Sequence, residues 1–170
     1  MKSAIRDPNP VVFLEHELLY GLEYDVPDLD DYTLPIGKAA VIREGTDVTL
    51  VGYSRMVGFA MDAAEQLAAE GISAEVIDLR SIRPLDMDTI VQSVKKTNRL
   101  VTGEEGWKHM GVGGEIAAGV TELAFDYLDA PPMRVTQKDV PLPYAGNLED
   151  MSLPNAGDIV AAAKAVCEGM

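Results

Sequence analysis

Cysteine is almost absent from this chain of 170 residues, in which Cys167 is the only one. A lone cysteine excludes an internal disulfide framework and a zinc knuckle built on paired cysteines. Such a composition is typical of proteins in a reducing compartment. We therefore predict a cytoplasmic location, with an organelle matrix as the alternative.

Basic residues are also scarce. The chain has 14 lysines and arginines against 28 aspartates and glutamates, which gives a formal net charge of −14. This charge repels phosphate backbones, so we predict that nucleic acid is not a partner. A basic protein surface would instead be attracted.

Long apolar runs are missing as well. No run is long enough to span a bilayer, and the N-terminus lacks the apolar core of a signal peptide, so we predict no membrane partner. Apolar residues nevertheless make up 47% of the chain. That content is enough for one domain with a hydrophobic core, or for one domain and a fragment of another.

The start of the chain differs in pattern from the rest. Residues 2–6 have the pattern of a helix end, and a Pro-Asn-Pro turn separates them from a predicted strand over 11–17. Because a domain rarely starts with the end of a helix, we expect residues 1–24 to be the remnant of a preceding domain. Residues 25–35 are acidic, contain two prolines and show no period, which is linker composition. We place the main domain at 36–170.

Beyond the linker, strand and helix patterns alternate regularly. Apolar runs predict four strands, and residues at helical spacing predict helices between them. Asp86 and Asn155 are the expected N-caps of two of these helices. Repeating β–α units imply an α/β fold of three layers, with a mostly parallel sheet covered by helices on both faces. The predicted strands cover residues 47–53, 73–79, 99–104 and 132–136.

A glycine-rich stretch, GWKHMGVGGEI at 106–116, follows the third of these strands. It lacks the Lys-Ser or Lys-Thr pair of a P-loop and the third glycine of a dinucleotide fingerprint. It lies between a strand end and a helix start, where ligands of parallel sheets bind, so a ligand site stays open at this point. The alternative is that the glycines allow tight turning and close backbone packing.

Other polar residues could carry chemistry, and each has a structural alternative. Arg80 and Arg83 could bind a carboxylate or phosphate, or pair with neighbouring aspartates. His16, between two glutamates on the predicted strand, could be a general base or a solvated or interfacial side chain. Ser54 lacks the nucleophile-elbow motif and is expected to cap a helix. His109 has no suitably spaced second ligand, which argues against zinc.

Five motifs together say more than any of them alone. They are SAIRDPNPVVFLEHELLYG, LPIGKAAVIREGTDVTLVGYSRMVG, EVIDLRSIRPLDMDTI, VTGEEGWKHMGVGGEI and DVPLPYAGNLE. In this order and spacing they closely resemble the C-terminal half of the β subunit of the thiamine-diphosphate-dependent E1 component of pyruvate dehydrogenase. The resemblance covers essentially the whole chain. It implies a transketolase C-terminal-like domain at 36–170, preceded at 1–24 by a remnant of the pyrimidine-binding domain.

The family's enzyme is an α₂β₂ heterotetramer that decarboxylates pyruvate and reductively acetylates the lipoyl groups of the E2 core. The resemblance implies thiamine diphosphate and magnesium in the full enzyme only. The α subunit holds the diphosphate and magnesium, and the activating glutamate of the β subunit lies in its N-terminal domain. We therefore assign no catalytic and no cofactor-binding residue here, and we expect the chain alone to be inactive and to act in assembly and docking. The alternatives are a β subunit of branched-chain 2-oxoacid or acetoin dehydrogenase, or a purely non-catalytic assembly module.

The resemblance also assigns two sites residue by residue. The glycine-rich stretch is expected to contact the E1 α subunit and the second β subunit, although Lys108-His109-Met110 departs from the family's usual proline and glutamine. Backbone oxygens near the N-terminus are expected to bind potassium in a site that is incomplete here, which would leave the segment up to Tyr24 poorly anchored. The expected interface residues are Trp107, His109, Gly111 and Gly113, and the expected potassium residues are Ala4, Ile5, Asp7 and Asn9.

A basic domain of E2 is the remaining implied partner. In relatives, its peripheral subunit-binding domain docks on this part of the β subunit. Asp129 matches a position that receives a basic residue, and Asp126 would add to the attractive field. The alternative is that both aspartates solvate a helix end. Because a carboxylate there opposes the helix dipole, we expect binding rather than helix stability to account for Asp129.

Overall fold

Five strands form one sheet in the order β1-β3-β2-β4-β5. The computed structural model describes residues 1–168, so the last two residues of the predicted domain at 36–170 lie outside the described part. The strands are β1 (Ala40–Arg43), β2 (Val48–Gly52), β3 (Ala74–Asp78), β4 (Leu100–Trp107) and β5 (Met133–Gln137). The helices are α1 (Lys2–Arg6), α2 (Arg55–Ala69), α3 (Met87–Thr97), α4 (Val112–Ala124), α5 (Gly146–Ser152) and α6 (Ala156–Glu168).

The sheet is parallel except at one edge. Strands β2 to β5 run parallel to one another, whereas β1 pairs antiparallel with β3, placing Val41 opposite Ile77. The predicted α/β fold with a mostly parallel sheet is therefore confirmed. Strand β1 and helix α5 were not predicted, because both are short and partly exposed, which leaves little hydrophobic periodicity in the sequence.

Helices cover both faces of the sheet. Successive residues of a strand point to opposite faces, so Leu50 packs toward α2 and α6, and Val51 packs toward α3 and α4. The first core also contains Ala63, Leu67, Val76, Ile159 and Ala163. The second contains Ile77, Ile90, Val94, Ile116 and Val120. Because β2 to β5 are parallel, their carboxyl ends lie at one edge of the sheet, and the glycine-rich stretch lies at that edge.

Two of the three predicted caps form. The Asp86 carboxylate accepts a hydrogen bond from the backbone N–H of Thr89 at the start of α3. At α6, the Asn155 side chain accepts from the N–H of Gly157 at 2.8 Å. Ser54 stands at the N-cap of α2, but its side chain makes no capping bond, so that part of the prediction is wrong. Its φ of 55° points the backbone into the left-handed region, which changes the direction of the side chain.

The N-terminal segment is less regular than predicted. Residues 2–6 are helical, as expected, but the strand predicted over 11–17 does not form. Residues 11–16 pair with no strand of the described part of the chain, and a short 3₁₀ helix, Glu17–Leu19, follows them. An extended segment needs a neighbouring strand to satisfy its backbone groups, and alternation of apolar residues alone cannot supply one.

The segment at 25–35 contains no helix or strand. It contacts α1 through an ion pair between Arg6 and Asp31 at 2.6 Å. The boundaries of the linker and of the domains on either side of it remain predictions. Among residues 1–168, no helix is both long enough and apolar enough to cross a membrane.

Candidate functional site

The backbone of the glycine-rich stretch binds a carboxylate of the same chain, that of Glu104. Glu104, near the end of β4, is only 3% exposed. Its two carboxylate oxygens accept hydrogen bonds from the backbone N–H groups of Val112 and Gly113, both at 2.9 Å. These N–H groups form the positive end of α4, the position where a phosphate binds in proteins that cradle one. Glu104 fills that position, so the N–H groups of Val112 and Gly113 are not available to a phosphate.

The glycines are required by this close approach. A side chain on Gly111 would collide with the Glu104 carboxylate. A Cβ on Gly113 would lie 2.5 Å from the Thr102 hydroxyl and 2.9 Å from the Glu104 carboxylate. The Thr102 hydroxyl is buried and has no hydrogen-bond partner among the described residues. Of the two interpretations of the glycines, tight turning and close packing therefore explain Gly111 and Gly113.

A tyrosine from the neighbouring strand end completes this cluster. The Tyr53 hydroxyl, just after β2, donates to Glu104 at 3.3 Å. Burial, with the negative charge of Glu104 beside it, raises the pKa of Tyr53 to about 12. A phenol with such a pKa stays protonated at neutral pH and acts here as a hydrogen-bond donor. The cluster therefore orders the loop and offers no free nucleophile or base.

The next residue of β4 faces another set of partners. Glu105 accepts from Arg55 at 3.2 Å and is hydrogen-bonded to His16 at 2.7 Å. The Arg55 guanidinium also stacks on Phe59, 4.9 Å from the ring centroid. His16 thus lies at the carboxyl edge of the sheet and not on a strand as predicted.

The tip of the loop is the exposed part of this edge. Trp107 ends β4, is 51% exposed and donates its indole N–H to the Val140 carbonyl at 3.0 Å. His109 is exposed, and Met110 is 91% exposed with a φ of 60°. Exposed tryptophan and methionine side chains, here three residues apart in the chain, are of the type enriched in protein interfaces. The interface assignment of Trp107 and His109 remains a prediction that this exposure favours.

The second loop considered at this edge contains paired charges. Arg80 lies 3.7 Å from Asp78, which favours the structural interpretation of that arginine. Asp86, 5% exposed, accepts from the backbone N–H of Ala39 in addition to its capping role. Burial by itself would raise the pKa of Asp86, but the bonds from Ala39 and Thr89 outweigh it and lower that pKa.

The predicted potassium residues lie together at the end of α1. Ala4 and Ile5 belong to the helix, and Asp7 follows it. Asp7 accepts from the backbone N–H of Asn9 at 2.9 Å and from its side chain at 3.0 Å. Carbonyls at a helix C-terminus and a carboxylate are ligands that suit a hard cation, so these residues fit potassium chemically. Within residues 1–168, no group of three or more His, Cys, Asp or Glu side chains is placed to hold a metal ion.

The two candidate docking aspartates lie after α4. Asp126 is exposed in a short 3₁₀ helix, Phe125–Tyr127. Asp129 follows it, with a side chain that is 56% exposed and 3.0 Å from the Arg99 guanidinium. This ion pair gives Asp129 a structural contact besides the predicted docking role, which remains a prediction. Both carboxylates still face solvent, as a docking residue requires.

Sequence reasoning missed the residues that organise this edge. Glu104 and Glu105 were not singled out, although the sequence has two consecutive glutamates directly before the glycine-rich stretch. Glu104 precedes the two N–H groups that it binds by eight and nine residues. That spacing predicts a contact only if the loop between them is known to fold back onto β4. That fold-back is a tertiary feature.

Known proteins resemble the chain over nearly its whole length. The model of the transketolase C-terminal domain matches residues 37–159. The chain is 57% identical over 167 residues to the pyruvate dehydrogenase E1 component subunit beta of Rhizobium meliloti. That alignment covers 98% of this chain and 36% of the Rhizobium protein. It is 59% identical to the mitochondrial subunit beta of Dictyostelium discoideum, over 99% of this chain and 48% of that protein. It is 61% identical to the mitochondrial subunit beta-1 of Arabidopsis thaliana, over 98% of this chain and 47% of that protein.

A solved structure shares the fold. A split-gene transketolase, described as an inactive β4 tetramer, superposes with a TM-score of 0.71 at 31% sequence identity, covering 84% of this chain and 47% of that one. The chain therefore spans about half or less of the length of the relatives it matches. Sequence and fold agree, and the chain belongs to the transketolase C-terminal domain family.

Proposed function

We propose that this chain forms the C-terminal domain of the β subunit of the pyruvate dehydrogenase E1 component. One observation carries the proposal: relatives from a bacterium, an amoeba and a plant match 98–99% of the chain at 57–61% identity, and each is a pyruvate dehydrogenase E1 subunit beta. The full enzyme would decarboxylate pyruvate and acetylate the lipoyl groups of E2. Its location would be the bacterial cytoplasm or the mitochondrial matrix, as for relatives of both kinds.

Within that enzyme, we assign this domain to assembly and docking. The helix N-terminus that could accept a diphosphate is neutralised by Glu104. The residues of this loop therefore do not fit the diphosphate of thiamine diphosphate, and no step of the reaction is assigned to them. The exposed surface around Trp107 and Met110 is instead available to the α subunit or a second β subunit.

The isolated chain should not bind the cofactor. Isothermal titration of thiamine diphosphate with magnesium into the 170-residue chain should give no binding heat, since its one helix N-terminus at the carboxyl edge of β4 already holds Glu104. An assembled E1 heterotetramer is the positive control. Magnesium-dependent binding to the isolated chain would contradict the assignment of cofactor contacts to other parts of the enzyme.

Docking of the E2 subunit-binding domain tests the function directly. The net charge of −14 suits a partner rich in lysine and arginine, because complementary charge speeds encounter. Asp129→Ala should slow association about threefold at low salt and flatten its salt dependence. The lost pair with Arg99 should cost at most about 1 kcal/mol of stability, since Asp129 is largely solvated.

The measurement is surface plasmon resonance with the immobilised E2 domain over a salt series. Asp62→Ala, an exposed aspartate on α2, is the matched control for a change of net charge alone. If Asp129→Ala and Asp62→Ala associate at the same rate as the unmodified chain, the docking site lies elsewhere.

A further inference from the structure

The N-terminal segment meets the main domain through one polar contact. Among the hydrogen bonds and ion pairs of residues 1–168, the bond from His16 to Glu105 is the one that joins residues 1–24 to residues 36–168. Other polar contacts of the segment stay within it or reach the linker, as in the pair between Arg6 and Asp31. The position of the segment on the domain therefore depends on this contact more than on any other polar one.

Apolar burial along the segment is uneven, since Val11 is 39% exposed and Phe13 is 51% exposed, whereas three other apolar side chains lie mostly in water. Val12 is 84% exposed, Leu14 is 78% exposed and Leu18 is 62% exposed. By contrast, the side chains of His16 and Glu105 are only 24% and 22% exposed. Since hydrophobic stabilisation is proportional to the apolar area removed from water, these leucine and valine side chains contribute only a small part of theirs.

Arg55 fixes the Glu105 carboxylate in the position where it binds His16. One carboxylate oxygen accepts from Arg55, and the other is 2.7 Å from the Nε2 atom of His16. Arg55 is itself fixed by its stack on Phe59. A carboxylate already held by a rigid guanidinium loses little freedom when it binds a second group, which favours the contact.

The imidazole is fixed at both nitrogens. The Nδ1 atom of His16 accepts from the backbone N–H of Leu18 at 3.3 Å, at the start of the 3₁₀ helix. The proton of the neutral ring therefore lies on Nε2 and is donated to Glu105. Neither nitrogen remains free to take a proton from a substrate, so the general-base alternative for His16 is not supported. Its role is positional.

In place of the poor anchoring expected for the segment up to Tyr24, we propose that Glu105 and Arg55 form an intramolecular docking surface for residues 11–20, with His16 as the positioning residue that attaches the segment to the carboxyl edge of the sheet. The attachment lies two residues before Trp107 in β4, so it orients the incoming chain beside the exposed loop. This inference concerns contacts within the chain and does not depend on the proposed enzyme function.

Nuclear magnetic resonance of the chain tests this attachment. Backbone order parameters of residues 12–19 should lie near the value for rigid structure, about 0.85, and should fall below about 0.6 in His16→Ala and in Glu105→Gln. His16→Gln keeps a donor toward Glu105 and should retain an intermediate order. In the unmodified chain, long-range nitrogen–proton spectra should show the tautomer of His16 with the proton on Nε2.

Glu15→Gln is the matched control. Glu15 is adjacent to His16 and exposed, and among the hydrogen bonds of residues 1–168 its carboxylate accepts one, from Tyr20, so the change should leave the order parameters of residues 12–19 unchanged. The melting temperature of the β-sheet distinguishes detachment of the segment from unfolding of the domain, because detachment alone leaves the sheet folded. Order parameters below about 0.6 in the unmodified chain, or unchanged values in His16→Ala and Glu105→Gln, would overturn the proposal.

Discussion

Removing the carboxylate of Glu104 should destabilise the domain strongly. Its two oxygens accept from the N–H groups of Val112 and Gly113 at 2.9 Å, and it is 3% exposed. A hydrogen bond to a charged group contributes about 1.5–3 kcal/mol, so Glu104→Ala should lower the free energy of unfolding by about 3–6 kcal/mol. A domain of this size is stable by about 5–15 kcal/mol in total, which would leave the variant marginal.

The conservative variant separates charge from packing. Glu104→Gln retains the shape and one acceptor oxygen but turns an amide group toward a backbone N–H, so it should cost about 1–3 kcal/mol. Glu115→Gln is the control, because Glu115 lies in the first turn of the same helix and is exposed. Its cost should stay below about 1 kcal/mol, the range for a surface charge near a helix end.

Urea unfolding monitored by circular dichroism gives these energies, provided that the m-value stays constant. Sodium formate offers a second test, since a small carboxylate could bind at the helix N-terminus vacated in Glu104→Ala. Formate should raise the melting temperature of that variant and not that of the unmodified chain. Equal stabilities for Glu104→Gln and the unmodified chain would show that Glu104 does not anchor α4.

Two further predictions concern the same cluster. Gly113→Ala should lower the free energy of unfolding in urea by about 1–3 kcal/mol, because its Cβ would lie 2.5 Å from the Thr102 hydroxyl. Gly58→Ala is the control: a Cβ there meets nothing within 4 Å, so the change should raise the free energy of unfolding by about 0.5–1 kcal/mol. If both variants were more stable than the unmodified chain, the packing argument would be refuted. Because the pKa of Tyr53 is raised from 10.0 to about 12, its contribution to stability is complete below pH 10 and is lost as the pH rises through 12. Tyr53→Phe should remove this part of the alkaline loss of stability in thermal melts from pH 8 to 12, and an identical pH profile for both chains would contradict the role of Tyr53 beside Glu104.

The regular part of the fold could be predicted from the sequence. The runs around Leu50 and Ile77 are apolar on both strand faces because helices cover both sides of a parallel sheet, and that pattern is local. The caps Asp86 and Asn155 were also predictable, because a cap acts over two or three residues. The failed strand at 11–17 shows the limit of local patterns, since pairing requires a partner from elsewhere in the chain.

The sequence by itself determined the class of fold, the order of strands and helices along the chain, the charge that suits a basic partner, and the resemblance to a known family. These properties are set by neighbours within a few residues or by sums over the chain. Only the tertiary structure decided what the glycine-rich stretch binds. Glu104 reaches Val112 because β4 and α4 fold back on each other, and His16 reaches Glu105 across 89 positions of sequence. Contacts of that kind depend on the packing of the whole domain, because no periodicity or spacing along the chain encodes which distant groups meet.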